Sequence, residues 1–300
     1  MSFDKIVECV PNFSEGRDSE KMEKIIGCFR GKPGVKLLDY SNDIDHNRMV
    51  ITAAGEPEMM KKAVINAIGM AVQVIDLRIH NGEHPRMGAA DVVPFIPVRN
   101  MTMEEAVELS KAVAREVSSR FNLPVYLYEK SASAPHRENL AEVRKGQFEG
   151  LSAKLKDPMW KPDFGPDTPH PTAGASIIGA RPYLIAWNVN LKTDRLDIAK
   201  AIAKKIRFSS GGFPCCKALG LNLANQSMVQ VSINLTDFNV TSMHTIFDEI
   251  RAEATQYGIE IDGTELIGML PLQVLVDTAA HYLQLKDFSA NRVIENRLYE

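Results

Sequence analysis

Hydrophobic and polar positions along the first half of the chain switch between a period of two and a helical period. KIVECV (5–10) is a short β-branched run that breaks at Pro11-Asn12, and residues 18–30 read as a helix ending near Gly31. VKLLDY (35–40) and RMVITAA (48–54) read as strands joined by a polar turn rich in Asn and Asp. From Pro57, which suits a first helical turn, Met60, Ala63, Val64, Ala67, Ile68, Ala71 and Val74 recur at helical spacing. A strand over 91–97 follows, and Thr102 with Glu105 gives a capping-box signal for a helix to about residue 120. PVYLY (124–128) is another strand. The leading order is β-α-β-β-α-β, the ferredoxin-like pattern, with a helix and a strand appended.

Residues 156–182 carry six of the sixteen prolines and read as loop, because proline removes a backbone donor and resists helix. A stretch this long is either a linker or a functional loop. The same order then returns: strand 182–190, helix 194–207, strands 218–224 and 228–235, helix 241–257 and a short strand GIEI (258–261). Helices over 271–284 and about 287–297 close the chain. The pattern implies an α/β (α+β) protein of two related subdomains, 1–180 and 181–300. In 228–235, Val229, Val231, Ile233 and Leu235 alternate with Gln230, Ser232 and Asn234, and in 183–190 apolar residues alternate with Asn188 and Asn190. One face of that sheet is therefore apolar and the other amide-rich, which suits either a solvated face or a ligand groove.

Composition narrows the function classes. Of 300 residues, 45% are hydrophobic and 24% charged, which excludes a largely disordered chain. No apolar run approaches the roughly 18 residues of a membrane helix, and MSFDKIVECV has no secretory h-region. The net charge of −3 gives no basic footprint for nucleic acid. Cys9, Cys28, Cys215 and Cys216 lack zinc or disulfide-framework spacing, so reduced thiols and a cytoplasmic location are expected. Residues 181–207 hold seven Lys or Arg against two Asp, either a solvated helix face or a site for an anionic ligand tail.

The densest chemistry is His80-Asn81-Gly82-Glu83-His84-Pro85-Arg86-Met87-Gly88. His80 to His84 matches the H-x-x-E-H string of zinc enzymes, whose two histidines share one helix face. Asn81-Gly82 favours a turn and Pro85 pushes His84 off helical angles, so no metal site is expected. His84 then stands in a turn as either a structural histidine or a general acid/base. Arg86 offers a fork for a carboxylate or for an ion pair. Asp163-Phe164-Gly165 spells a kinase triplet without the rest of the kinase set. Gly165 and Gly174 bracket a loop that either lets backbone amides approach a planar ligand or simply connects.

Taken together, IVECVPNFSEGR (6–17), HNGEHPRMGAADVVPFIPVRN (80–100), PVYLYE (124–129), WKPDFGP (160–166) and NLTDFNVTSMHTIFDEI (234–250) resemble the glutamate formiminotransferase family, in order and over essentially the whole chain. The resemblance implies two α/β subdomains with helices outside and a ligand tunnel between the sheets. It implies transfer of the formimino group from N-formimino-L-glutamate to N5 of tetrahydrofolate, the co-substrate, with no metal. His84 takes the place of the family's catalytic histidine. The folate loop maps onto Gly165, Pro166, Asp167, Thr168, Pro169, His170, Pro171, Thr172, Ala173 and Gly174. Asn12 and Arg48 match recurrent family strings and are substrate-binding candidates; the chemistry of the reaction adds Arg86, with Arg48, for a glutamate carboxylate and Glu83 as a holder of the imidazole tautomer. It also implies a homodimer. Mammalian relatives carry a fused cyclodeaminase, so the product here is expected to pass to a separate enzyme. Alternatives are an N-formylglutamate donor, a non-catalytic folate-binding protein and a zinc hydrolase.

Overall fold

The structure is a computed structural model, and it describes residues 4–223 and 227–298. The chain divides into two compact units, Met1–Arg181 and Pro182–Glu300.

The first unit runs β1 (Ile6–Cys9), β2 (Asn12–Phe13), α1 (Ser19–Ile26), β3 (Val35–Asp43), β4 (Arg48–Gly55), α2 (Pro57–Val74), β5 (Ala90–Arg99), α3 (Met103–Phe121), β6 (Val125–Glu129), α4 (Leu140–Arg144), α5 (Gln147–Lys154) and β7 (Ser176–Ala180). The helices start where side chains can satisfy free backbone donors. Asp18 accepts from the Glu20 and Lys21 amides, Pro57 occupies the first turn of α2, and Thr102 and Glu105 close a reciprocal capping box on α3. β1 and β2 act as one strand broken at Val10-Pro11, lying antiparallel between β4 and β5. β3 flanks β4, while β7 and then β6 extend the other side parallel to β5. Met60, Ala63, Val64, Ala67, Ile68 and Ala71 of α2 join Ile25, Val113 and Val117 in a core against Val7, Phe13, Met49, Ile51, Val93 and Phe95. Across the sheet, Val143, Leu151 and Leu155 pack on Val92, Tyr126, Tyr128 and Ile177.

The second unit runs β8 (Ile185–Leu191), α6 (Leu196–Ile206), β9 (Cys216–Leu223), β10 (Met228–Leu235), α7 (Met243–Gln256), β11 (Ile261–Ile267), α8 (Leu272–Leu283) and α9 (Ile294–Leu298). Its strands are antiparallel in the order β9-β10-β8-β11. Each unit thus places the strands of its β-α-β-β-α-β run in one spatial order: second, third, first, fourth. Ile185, Trp187, Val189, Val231 and Ile233 face Ile198, Ile202, Ile246 and Ile250. On the opposite face the amides fall into register. Gln230 pairs with Asn190 and Ser232 with Asn188, and the Gln230 Nε2–H donates to Asn190 Oδ1 at 2.8 Å.

Three expectations are corrected. The loop expected over 156–182 contains β7, a Ser-Ile-Ile-Gly-Ala strand buried throughout and inserted between β5 and β6. A strand buried on both faces shows no alternation, so the flanking prolines dominated the reading. The strand expected at 258–261 begins only at Ile261, because Gly258 at φ +68° and the Ile259 N–H bonded to the Ala254 carbonyl close α7 first. The last helix is a 3₁₀ turn at Ala290–Arg292 followed by the short α9. Of the strand expected over 218–224, residue 224 lies outside the described residues.

Candidate active site

Asn12, Arg48 and Asp91 converge at one edge of the first sheet. Asn12 opens β2 just after the Pro11 break, Arg48 opens β4, and the two strands pair there. Asp91 sits where the β2–β5 register shifts, a bulge that turns its carboxylate into the protein. That carboxylate is fully buried. Its Oδ2 accepts from Arg48 Nη1 and from Arg144 Nη2, both at 2.9 Å, and its Oδ1 accepts the Met87 amide at 2.7 Å. Burial alone would push this carboxyl up; Arg144, Arg48 and the Met87 N–H outweigh it and hold the pKa below the ordinary Asp range. Two guanidinium groups share one carboxylate, so the cluster keeps one net positive charge. Arg48 Nη2 also donates to Asn12 Oδ1 at 2.9 Å, and Asn12 Nδ2 donates to the Val10 carbonyl at 2.8 Å.

His84 lies against this cluster. Its Nδ1 is 2.7 Å from the Pro85 carbonyl and 3.1 Å from Arg48 Nη1. One nitrogen cannot donate to a carbonyl and accept from a guanidinium together. The shorter contact calls for Nδ1–H, which leaves the lone pair on Nε2. Partial burial, then the charges of Arg48 and Arg144, pull the ring down to a pKa of about 4. At neutral pH this imidazole is a free base. The His46 ring stands edge-on to it at 5.9 Å, and His46 Nδ1 is 2.9 Å from Asp43.

The remaining loop residues divide into framework and surface. His80 Nε2 meets the Asn47 carbonyl at 2.9 Å while Nδ1 accepts from Arg86 Nε at 3.2 Å, so both ring nitrogens are engaged. Residues 80–84 are not helical, and among the described residues no group of three or more His, Cys, Asp or Glu is arranged to hold a metal ion. Arg86 is buried with its fork bidentate on Glu149, at 2.8 and 2.7 Å. Glu83 is exposed, and its amide donates to the Asp45 carbonyl. The groups around His84 Nδ1 are thus Pro85 and Arg48.

Residues 165–174 lead from Phe164, which bridges Val125 at the start of β6, to the start of β7. Gly174 bridges Gly88, and the Ala89 N–H bonds the Ala173 carbonyl, so this loop lies beside the segment that runs from His84 into β5. His170 and Gly174 exchange backbone bonds at 2.9 and 3.0 Å, and His170 Nδ1 accepts the Ala173 N–H at 3.1 Å. Both bracketing glycines have positive φ, +94° and +68°. A Cβ at Gly174 would collide with the Met87 carbonyl, and one at Gly165 with Ser118 and the Leu123 carbonyl. Asp167, Thr168 and Pro171 are exposed at the tip, with Pro166, Pro169 and Thr172 half-buried and Ala173 buried below.

Asp91 and Arg144 were not singled out from the sequence. Asp91 had a signal, as the one charge in the apolar run from Met87 to Val98. Arg144, at the end of α4, had none.

Residues 6–181 match the model of the formiminotransferase domain's N-terminal subdomain, and residues 186–297 match that of the formiminotransferase domain. This chain belongs to the formiminotransferase family. Among its relatives, the glutamate formimidoyltransferase of Streptococcus pyogenes serotype M1 is 46% identical, the match covering 98% of this chain and 99% of that one. That of Thermoplasma acidophilum is 42% identical, covering 98% and 97%. The mouse formimidoyltransferase-cyclodeaminase is 41% identical over 98% of this chain but only 56% of its own length. Among the described residues no helix of this chain is long and apolar enough to cross a membrane.

Proposed function

We propose that this chain transfers the formimino group of N-formimino-L-glutamate to N5 of tetrahydrofolate, with His84 as general acid/base. The observation that carries the catalytic part is a neutral imidazole set against a buried cluster with net positive charge, Arg48–Asp91–Arg144. The N5 lone pair attacks the formimino carbon, and the C=N bond becomes a single bond in a tetrahedral intermediate. His84 Nε2 takes the N5 proton and delivers it to the glutamate nitrogen, which leaves as an amine while C=N re-forms. Protons balance and no covalent enzyme intermediate is required, because holding both substrates in line supplies much of the rate.

Arg48 and Arg144 are the proposed anchors for a donor carboxylate, with Asn12 orienting Arg48. Arg86 and Glu83 keep the 80–88 turn in place around His84. The loop from Gly165 to Gly174 holds the folate. The two units are read as ferredoxin-like subdomains, and the amide face of the second, where Gln230 bonds Asn190, is read as a ligand-facing wall. A homodimer and a cytoplasmic setting complete the reading.

A carboxylate bound beside Arg48 and Arg144 offsets the charges that depress His84, so the base strengthens once the donor is in place. Arg144→Gln removes one of those charges in the free enzyme, and losing a nearby cation favours the protonated ring. The half-titration of His84, followed by NMR of labelled histidine, is therefore expected near 4 in the parent protein and at higher pH in the variant. An unmoved midpoint would remove Arg144 from the site.

The function itself is tested by mixing the protein with tetrahydrofolate and either N-formiminoglutamate or N-formylglutamate. Acid quenching converts the formimino product to methenyltetrahydrofolate, which is read by absorbance. Product from the formimino donor is expected. Product from the formyl donor alone would reassign the substrate, and folate binding with neither product would make this a binding protein.

A further inference from the structure

α4 carries Arg144 to the buried Asp91, yet it is only five residues long. Helices this short do not hold themselves in water, and the last carbonyls of a helix have no partner within it. At the start of α4 Asn139 accepts the Ala141 N–H at 3.1 Å, and along it Val143 is buried with Leu151 and Leu155. Its far end is closed from outside. Lys154, the last residue of α5, donates through Nζ to the carbonyls of Glu142 at 3.0 Å, of Val143, and of Lys145 at 3.2 Å. An ammonium has three N–H donors, and here they meet three carbonyls at the end of one helix.

The ammonium is itself held. Nζ stands 3.8 Å from the centroid of the Trp160 ring, a cation–π contact. That ring meets His136 edge-on at 4.8 Å and Tyr126 at 6.4 Å. The Tyr126 hydroxyl donates to the Trp160 carbonyl, which ties this segment to β6. Burial lowers the Lys154 pKa to about 8, so the group is mainly an ammonium at pH 7 and fully one in acid.

Arg144 has little hold of its own. Its Nη2 pairs with Asp91 at 2.9 Å, while its Nε is buried without a partner. Arg48 reaches the same carboxylate from β4, a strand paired on both sides. A single contact does not fix a long side chain, so the place of Arg144 depends on the helix that carries it.

We propose that Lys154 is a positioning residue of the site: it closes the end of α4, keeps Arg144 on Asp91, and through Arg144 sets the charge felt by His84. The side-chain charges that act on His84 are those of Arg48, Arg144 and Asp91, so Lys154 acts at second hand. Its bearing on formimino transfer rests on the proposed function; its effect on His84 does not.

Lys154→Met keeps the unbranched stem beside Trp160 and removes the three donors. Its His84 half-titration, followed by NMR of labelled histidine, is expected about 0.5–1 pH unit above that of the parent, a fraction of the 1–3 units that a neighbouring charge exerts. Lys154→Gln, milder because it keeps amide N–H donors, should move the midpoint the same way and supplies the result if the methionine variant does not fold. In an Arg144→Gln background, Lys154→Met should add no further shift. The KM for N-formiminoglutamate should rise about tenfold, the loss of one charge-assisted hydrogen bond, with that for tetrahydrofolate unchanged. A midpoint that moves in Arg144→Gln but in neither Lys154 variant would overturn the proposal, as would an equal shift from Lys154→Met with Arg144 already replaced. A shifted midpoint with an unchanged donor KM would keep Lys154 in its role and remove Arg144 as the donor anchor.

Discussion

Replacing His84 with alanine is expected to lower kcat about 10²–10⁴-fold, the usual contribution of a positioned general acid/base, equivalent to about 3–5 kcal/mol of transition-state stabilisation. The fold should persist. Arg48 keeps its bonds to Asp91 and Asn12 without the imidazole, and Met87 keeps its bond to Asp91. The His84 side chain is half-buried and belongs to none of the apolar clusters of the first unit, so its removal opens no core cavity. The loss should therefore appear in kcat with the melting temperature within about 2 °C of the parent. Added imidazole should restore part of the rate by occupying the vacated space. A variant that transfers the formimino group at the parental rate would remove His84 from the mechanism, and a large fall in melting temperature would recast it as structural.

How much of this was legible beforehand depended on the kind of signal. α2 was readable because Met60, Ala63, Val64, Ala67, Ile68 and Ala71 form one stripe, and that stripe is the buried one. The amide face of the second sheet was readable for the same reason at period two; its register, which sets Gln230 opposite Asn190, came only with the fold. β7 was hidden because a strand covered on both sides needs no polar face, and Ser176–Ala180 sits among residues that announce a loop. The turn expected at the H-x-x-E-H string is the backbone found there: residues 80–84 are not helical, as Asn81-Gly82 and Pro85 require. The site was legible only in part. His84 and Arg48 could be named, but the carboxylate that ties Arg48 to Arg144 is Asp91, whose role comes from a bulge in β5. Arg144 reaches that carboxylate only because α4 folds across the sheet, a tertiary fact with no local pattern behind it.

Asp91→Asn is expected to be the most destabilising single change at the site. The carboxylate is fully buried and is the shared partner of two guanidinium groups and one amide. Asparagine keeps the shape but offers one acceptor oxygen, and its NH₂ group must face one of those three donors. Removing one partner from a buried ion pair typically costs about 3–5 kcal/mol, because the remaining charge is left without compensation. For a unit of this size that corresponds to a melting temperature lower by about 10 °C. Adding Arg144→Met removes one of the two stranded cations, so the double variant should be more stable than Asp91→Asn alone. That recovery, measured by a double-mutant cycle in urea, separates a charge effect from simple loss of packing. The acid response has a definite sign. Asp91 has its pKa depressed in the folded protein, so its contribution is present above the ordinary Asp value of 3.8 and is lost as pH falls through the folded value below it. The parent should therefore lose stability below about pH 4 more steeply than Asp91→Asn. Equal melting temperatures at pH 7 for the parent and Asp91→Asn would show that the cluster is not held by this carboxylate. The account of how Arg48, Arg144 and His84 are brought together would then fail with it.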